Sequence, residues 1–270
     1  MHRARNIVMA VGTQPDDIEF RMAGTLVLLG QAGWHLHYFN LANGSCCRPK
    51  LPHDRTVALR DQESRKAAKF IMAVYHAPLV DDAQIFFEPK LLARVAAVVR
   101  EVNPAILLLP SPYDYREEHA NTSRLAVTAA LYRGFSRFAT TPAVDPVLDD
   151  MAVYHAMPNG LRDAMRRRVV PGLFINITPV IDNKREMLAM HHSQQEWYDA
   201  KRGKEAYVTA MEDMALEVGR VSKKYKYAEG WHRRLYRGLA EEGNHDPLSK
   251  ALAPLSMVNA RYERRLEQPR

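Results

Sequence analysis

Two hydrophobic patterns alternate along the first half of the chain, short apolar runs and longer stretches with helical spacing. Ile7-Val8-Met9-Ala10-Val11 is a short run, followed by the polar turn Thr13-Gln14-Pro15-Asp16-Asp17 and an apolar-periodic stretch from Met22 to Leu29. This predicts a strand over residues 6–12 and a helix over 17–32, ended by Gly33 at a C′ position. His35-Leu36-His37-Tyr38-Phe39-Asn40-Leu41 has period two and is rich in strand formers. A polar loop over 43–55 precedes a helix from Val57 to Val74, a short strand near Pro78–Val80 and a helix from Pro89 to Val102. Ala105-Ile106-Leu107-Leu108-Leu109 is apolar throughout, as a strand covered on both faces of a parallel sheet must be. The order predicts an α/β fold, a Rossmann-like, doubly wound, mostly parallel sheet with helices on both faces.

Beyond Pro110 the pattern is less regular. A polar loop over 111–118 leads to a helix from His119 to Tyr132, and residues 137–147 are rich in Pro and Thr. Strands are predicted at Val153-Tyr154-His155 and Leu173-Phe174-Ile175-Asn176-Ile177, then helices over 180–195 and 205–218. With no Gly/Ser/Pro-rich linker, residues 1–270 read as a single domain with a C-terminal helical extension from about 200.

Composition narrows the class. At 47% hydrophobic residues the chain can bury a sizeable core, and no apolar run approaches the ~20 residues that span a bilayer. Met1 to Arg5 pass straight into the first strand with no signal-peptide core, and the only cysteines are the neighbours Cys46 and Cys47, so a cytoplasmic location is expected. The net charge of +7 includes Arg166-Arg167-Arg168, Lys223-Lys224 and Arg233-Arg234. These short clusters come without a nucleic-acid-binding motif, so they read as solvated helix faces or as attraction for an anionic substrate, and no nucleic-acid partner is expected.

The candidate chemistry lies in two loops. Asp16 and Asp17 leave the carboxyl end of a strand, where ligands bind in an open parallel sheet. Neighbouring half-buried carboxylates repel unless they share a cation or a proton, which points to a metal site; the other reading is that they cap the helix that follows. The loop Pro112-Tyr113-Asp114-Tyr115-Arg116-Glu117-Glu118-His119 leaves another strand on the same predicted edge. His119 there reads either as a third metal contact or as a surface or capping residue.

Together these segments resemble the PIG-L/LmbE family of zinc-dependent de-N-acetylases, which remove acetyl groups from amino sugars and related amides. The family's Ala-His-Pro-Asp-Asp motif stands here as Thr13-Gln14-Pro15-Asp16-Asp17, with Ala23-Gly24-Thr25-Leu26 following. Its second motif, Pro-x-Asp-x-His-Pro-Asp-His, stands as residues 112–119. Arg60-Asp61-Gln62-Glu63 is similar to its Arg-x-x-Glu helix start, and Lys184 to Gln194, with His191-His192-Ser193-Gln194, to its late helix. The resemblance covers residues 6–200 in order. It implies that Asp16 is the general base, that Gln14, Asp17 and His119 occupy the three metal-ligand positions, and that Arg60 contacts substrate or orients the loop. Asp114, Arg116, Glu118 and His191 are then placed around the substrate. The implied cofactor is zinc, weakly held, or another divalent metal. The implied partner is a small N-acetylated amino sugar or glycoconjugate, and a homo-oligomer is compatible with this reading.

Two positions depart from the pattern. Gln14 stands where the family has its first His ligand, and Arg116 where it has the first His of the second motif. An amide is a poor substitute for imidazole on zinc, whereas Arg116 offers charge and hydrogen bonds to an oxyanion. Two functions are therefore open: a metal-dependent deacetylase, or a catalytically impaired relative that binds sugar or regulates. Cys46 or Cys47 could supply a replacement thiolate or be incidental, and His155 could line the pocket or sit in the core.

Overall fold

Alternate residues of the strand Ile7–Gly12 (β1) feed two separate apolar cores. Val8 and Ala10 pack on one side of the sheet, and Met9 and Val11 on the other. Ile106–Leu109 (β4) behaves the same way, with Ile106 and Leu108 on the first side and Leu107 and Leu109 on the second. Both faces are covered, which is why these strands are apolar throughout. The structure is a computed structural model that describes residues 6–47, 50–241 and 246–268. Met1 to Arg5, expected to run into the first strand, and positions 48 and 49 of the 43–55 loop lie outside the described residues.

His35–Asn40 (β2), Val74–His76 (β3) and Ala152–Ala156 (β5) join β1 and β4 as parallel strands. Leu173–Asn176 (β6), Ala228–Arg233 (β7) and Ser256–Val258 (β8) complete an eight-stranded sheet of order β3-β2-β1-β4-β5-β7-β6-β8. The four pairings among β3, β2, β1, β4 and β5 are parallel and the three beyond β5 are antiparallel, so the sheet is mostly parallel, as expected, with an antiparallel end. The stretch after 200, expected as a helical extension, contributes the helix Ala206–Ser222 (α8) and also β7 and β8.

The first core is covered by Ala23–Gln31 (α2), His53–Phe70 (α3), Ile181–Ala189 (α6) and α8, the second by Pro89–Val102 (α4) and Glu117–Tyr132 (α5). The helix predicted over 17–32 is two, Asp17–Arg21 (α1) and α2, broken at Met22 with φ −130° and ψ −15°. The one predicted over 180–195 is also two, α6 and His192–Arg202 (α7). The predicted strand near Pro78–Val80 lies earlier, at β3, and Val80 makes only an isolated bridge to Ala42. Because β1, β2 and β4 are parallel, the loops after Gly12, Asn40 and Leu109 emerge on one edge.

Candidate functional site

Asp16 and Asp17 part company at the start of α1. Asp16 has φ 91°, a left-handed conformation that costs a non-glycine residue about 1–3 kcal/mol and is characteristic of functional sites. It occupies the N-cap position, yet its side chain makes no capping hydrogen bond. Instead Asp16 Oδ2 accepts a hydrogen bond from the Tyr207 hydroxyl, and Arg60 Nη2 approaches it at 3.7 Å. Burial raises its pKa above the ordinary carboxylate value, against the pull of Arg60 and with the help of Asp17.

Asp17 turns the other way. Its Oδ2 accepts the backbone N–H groups of Thr13 at 3.2 Å and Gln14 at 3.0 Å, and its Oδ1 is held by Arg21 Nη1. Burial disfavours its charge, but the charges of His119 and Arg21 overcome that, and its pKa falls below the usual carboxylate range. The predicted repulsion is thus resolved by giving each carboxylate its own partners. The two groups are driven in opposite directions, as happens when neighbouring acids hold different roles.

The second loop arrives where the sequence places it. His119, in the first turn of α5, brings Nε2 to 3.3 Å from Asp17 Oδ2 and Nδ1 to 3.2 Å from Asp114 Oδ2. Asp114 also accepts N–H groups of Arg116 and Asn159, and its pKa falls to about 2; burial opposes this, and the His119 contact outweighs it. Gln14 Nε2 donates to Glu118 Oε2 at 3.4 Å, so the amide leans across the gap between the loops. Arg116 stands at the mouth.

Arg60 is only 1% exposed. Its guanidinium spans the Pro15 carbonyl, Glu63 Oε2 at 3.2 Å and Ser193 Oγ at 3.4 Å. Glu63 in turn accepts Ser193 N and Oγ at 2.7 and 2.6 Å, joining α3 to α7. Arg60 therefore holds the Asp16 turn from behind. His191 is fully buried, with Nε2 3.3 Å from Glu19 Oε2, and lines neither cavity described below. His155 is buried between Ser123 Oγ and the Pro110 carbonyl, each at 3.1 Å.

Two cavities meet at Gln14, Asp16, Arg116, Gln194 and Trp197. One, of about 440 Å³, adds Cys46, Cys47, Asp82, Glu118 and His119. The other, of about 410 Å³, adds Asp17, Arg21, Tyr198, Lys201, Arg202 and Tyr207. The wall carrying Cys46 is shaped by Asp82, which accepts Gly44 N and Cys46 N at 2.9 Å each, with Gly44 at φ +78°. Sequence reasoning missed Arg21, Trp197 and Tyr207. Arg21 had a readable signal, a cation four residues after Asp17 on a helix; Tyr207 had none, since it meets Asp16 across 191 positions.

A catalytic zinc takes three protein ligands and water. Among the described residues no group of three or more His, Cys, Asp or Glu side chains is arranged to hold a metal ion. Asp17 and His119 converge, but both Asp17 oxygens are already engaged, Oδ1 by Arg21 and Oδ2 by two N–H groups, and Gln14 offers an amide engaged with Glu118. The donors present do not fit zinc.

Residues 9–130 match the family model described as PIG-L, GlcNAc-PI de-N-acetylase. A diacetylchitobiose deacetylase of Thermococcus kodakarensis is 24% identical over 236 residues, 83% of this chain and 81% of that protein. The structure of N,N'-diacetylchitobiose deacetylase from Pyrococcus horikoshii has TM-score 0.72 and 18% identity, covering 85% of this chain and 84% of that one. GalB, the 4-carboxy-2-hydroxymuconate hydratase from Pseudomonas putida KT2440, has TM-score 0.69 and 20% identity, covering 85% and 96%. The fold is shared across different reactions, so the choice between them rests on the site.

Proposed function

We propose, from the match of residues 9–130 to the PIG-L de-N-acetylase model and the likeness to a diacetylchitobiose deacetylase, that this chain is a hydrolase removing an acetyl group from an N-acetylated amino sugar or glycoconjugate. The observation that carries this reading is Asp16, a carboxylate set at the junction of two cavities by Tyr207 and Arg60 and made more basic by burial. In this reading Asp16 takes a proton from the water that attacks the acetyl carbonyl. Arg116 meets the charge that develops on the carbonyl oxygen. The C–N bond then breaks, and the proton on Asp16 passes to the departing amine. Asp17, His119, Gln14 and Glu118 form the wall against which the substrate is placed, while Arg60, Asp114 and His191 position that wall. No step runs through a metal ion, since the donors do not fit one.

The misfit favours a second reading, a ligand-binding relative that has lost turnover. Acetate release from N-acetylglucosamine and N,N'-diacetylchitobiose separates the two. Under the first reading Asp16→Asn, which keeps shape but accepts no proton, lowers release by roughly 10²-fold or more with sugar binding retained. Binding without release by the wild type selects the second; full activity in Asp16→Asn removes Asp16 from the reaction.

A further inference from the structure

We propose that the Arg21 guanidinium is the resident cation of this site, balancing Asp17 where a divalent metal would otherwise do so and closing the site to such ions. The argument starts from burial. Asp17 and Arg21 are 5% and 6% exposed, and a buried carboxylate is tolerated only when paired. The first turns of α1 put the two residues at i and i+4, one above the other, and Arg21 Nη1 takes Asp17 Oδ1. The other oxygen is filled by the N–H groups of Thr13 and Gln14 at 3.2 and 3.0 Å, so both carboxylate oxygens are already engaged.

Arginine keeps its proton in proteins, so this cation is permanent. A metal reaching Asp17 must break the pair, leaving a buried guanidinium unpaired, or sit beside a fixed positive charge. Gln14 works in the same direction. It removes an imidazole and directs its own N–H toward Glu118 at 3.4 Å. Arg21 and Gln14 thus have one effect on this carboxylate, a site that carries its positive charge in the sequence. His119 Nε2, 3.3 Å from Asp17 Oδ2, then faces a carboxylate oxygen that two N–H groups already occupy. The assignment rests on this geometry and not on the proposed activity.

Zinc competition against a chromogenic chelator tests it with the full chain, Gln14→His, and Gln14→His/Arg21→Met, where Met keeps the bulk and removes the charge. The wild type is expected not to compete at micromolar zinc. The double variant is expected to bind one zinc at least about tenfold tighter than Gln14→His alone. Zinc should also raise the melting temperature of the double variant and leave that of the wild type unmoved. Stoichiometric zinc binding by the wild type, or a double variant no tighter than the single one, overturns the proposal. Should the double variant not fold, Gln14→His decides alone: with Arg21 in place it is expected to stay weaker than micromolar, and sub-micromolar binding overturns the proposal. Acetate release does not enter the readout, so this assignment and the proposed activity fail separately.

Discussion

Tyr207 meets Asp16 with its hydroxyl while its ring packs against Phe20 and Tyr198, at centroid distances of 6.2 and 5.5 Å. The ring and the hydroxyl can therefore be separated by one substitution. Tyr207→Phe keeps the packing and removes the hydrogen bond that orients the base. A hydrogen bond to a charged group contributes about 1.5–3 kcal/mol. If that orientation matters only in the transition state, kcat is expected to fall about 10- to 100-fold with KM little changed. Steady-state kinetics on a substrate the wild type turns over checks this; an unchanged kcat would mean that Arg60 alone holds Asp16.

At the scale of elements, the buried pair Lys184–Glu229 ties three of them together. Lys184 lies on α6 and Glu229 on β7, and Glu229 also accepts Gly24 N and Thr25 N at 2.9 and 2.8 Å, satisfying the first amides of α2. Lys184→Met leaves that carboxylate buried with only backbone donors, and breaking a buried pair costs about 3–5 kcal/mol. Chemical denaturation should show a loss of that size, and a loss under 1 kcal/mol would show that the backbone amides suffice. Glu229 also marks where the sequence became hard to read. Strands with apolar runs, such as 106–109, were legible, because burial on both faces leaves no other composition. Ala228-Glu229-Gly230-Trp231-His232-Arg233 has neither the run nor the alternation, because its charged residues are partnered inside the fold, and β7 was missed. The breaks at Met22 and near His191 were missed because the apolar spacing continues across them. The Asp16, Asp17 and His119 segments were legible because each motif is local; the Tyr207 contact is not encoded locally at all.

The whole molecule carries several histidines that burial keeps neutral. His37, whose Nδ1 is 2.8 Å from His76 Nε2, has its pKa pushed down to about 4 by burial first and by the His76 and His35 charges second. His155 is also pushed down to about 4 by burial, and His76 and His232 are lowered for the same reason. Unfolded histidine titrates near 6.5, so below that pH the unfolded chain binds more protons than the native one. Stability should therefore be level above about pH 6.5 and fall as the pH drops toward about 4. Melting curves from pH 7.5 to 4.5 check the sign, and His37→Gln should flatten part of the fall. A melting temperature constant over that range would contradict it.

The strand order carries a consequence for synthesis. β7 lies between β5 and β6 in the sheet although it follows both in the chain. While the ribosome moves from Ala156 to Arg233, one edge of β5 has no neighbour, and β6 is finished before either of the strands that flank it exists. At about 5–20 residues per second that interval lasts several seconds. An open edge rich in buried-type residues is a template for pairing with another chain. Recovery of folded protein is thus governed by how quickly the late strand is delivered, and slower or colder translation lengthens the exposure instead of helping it.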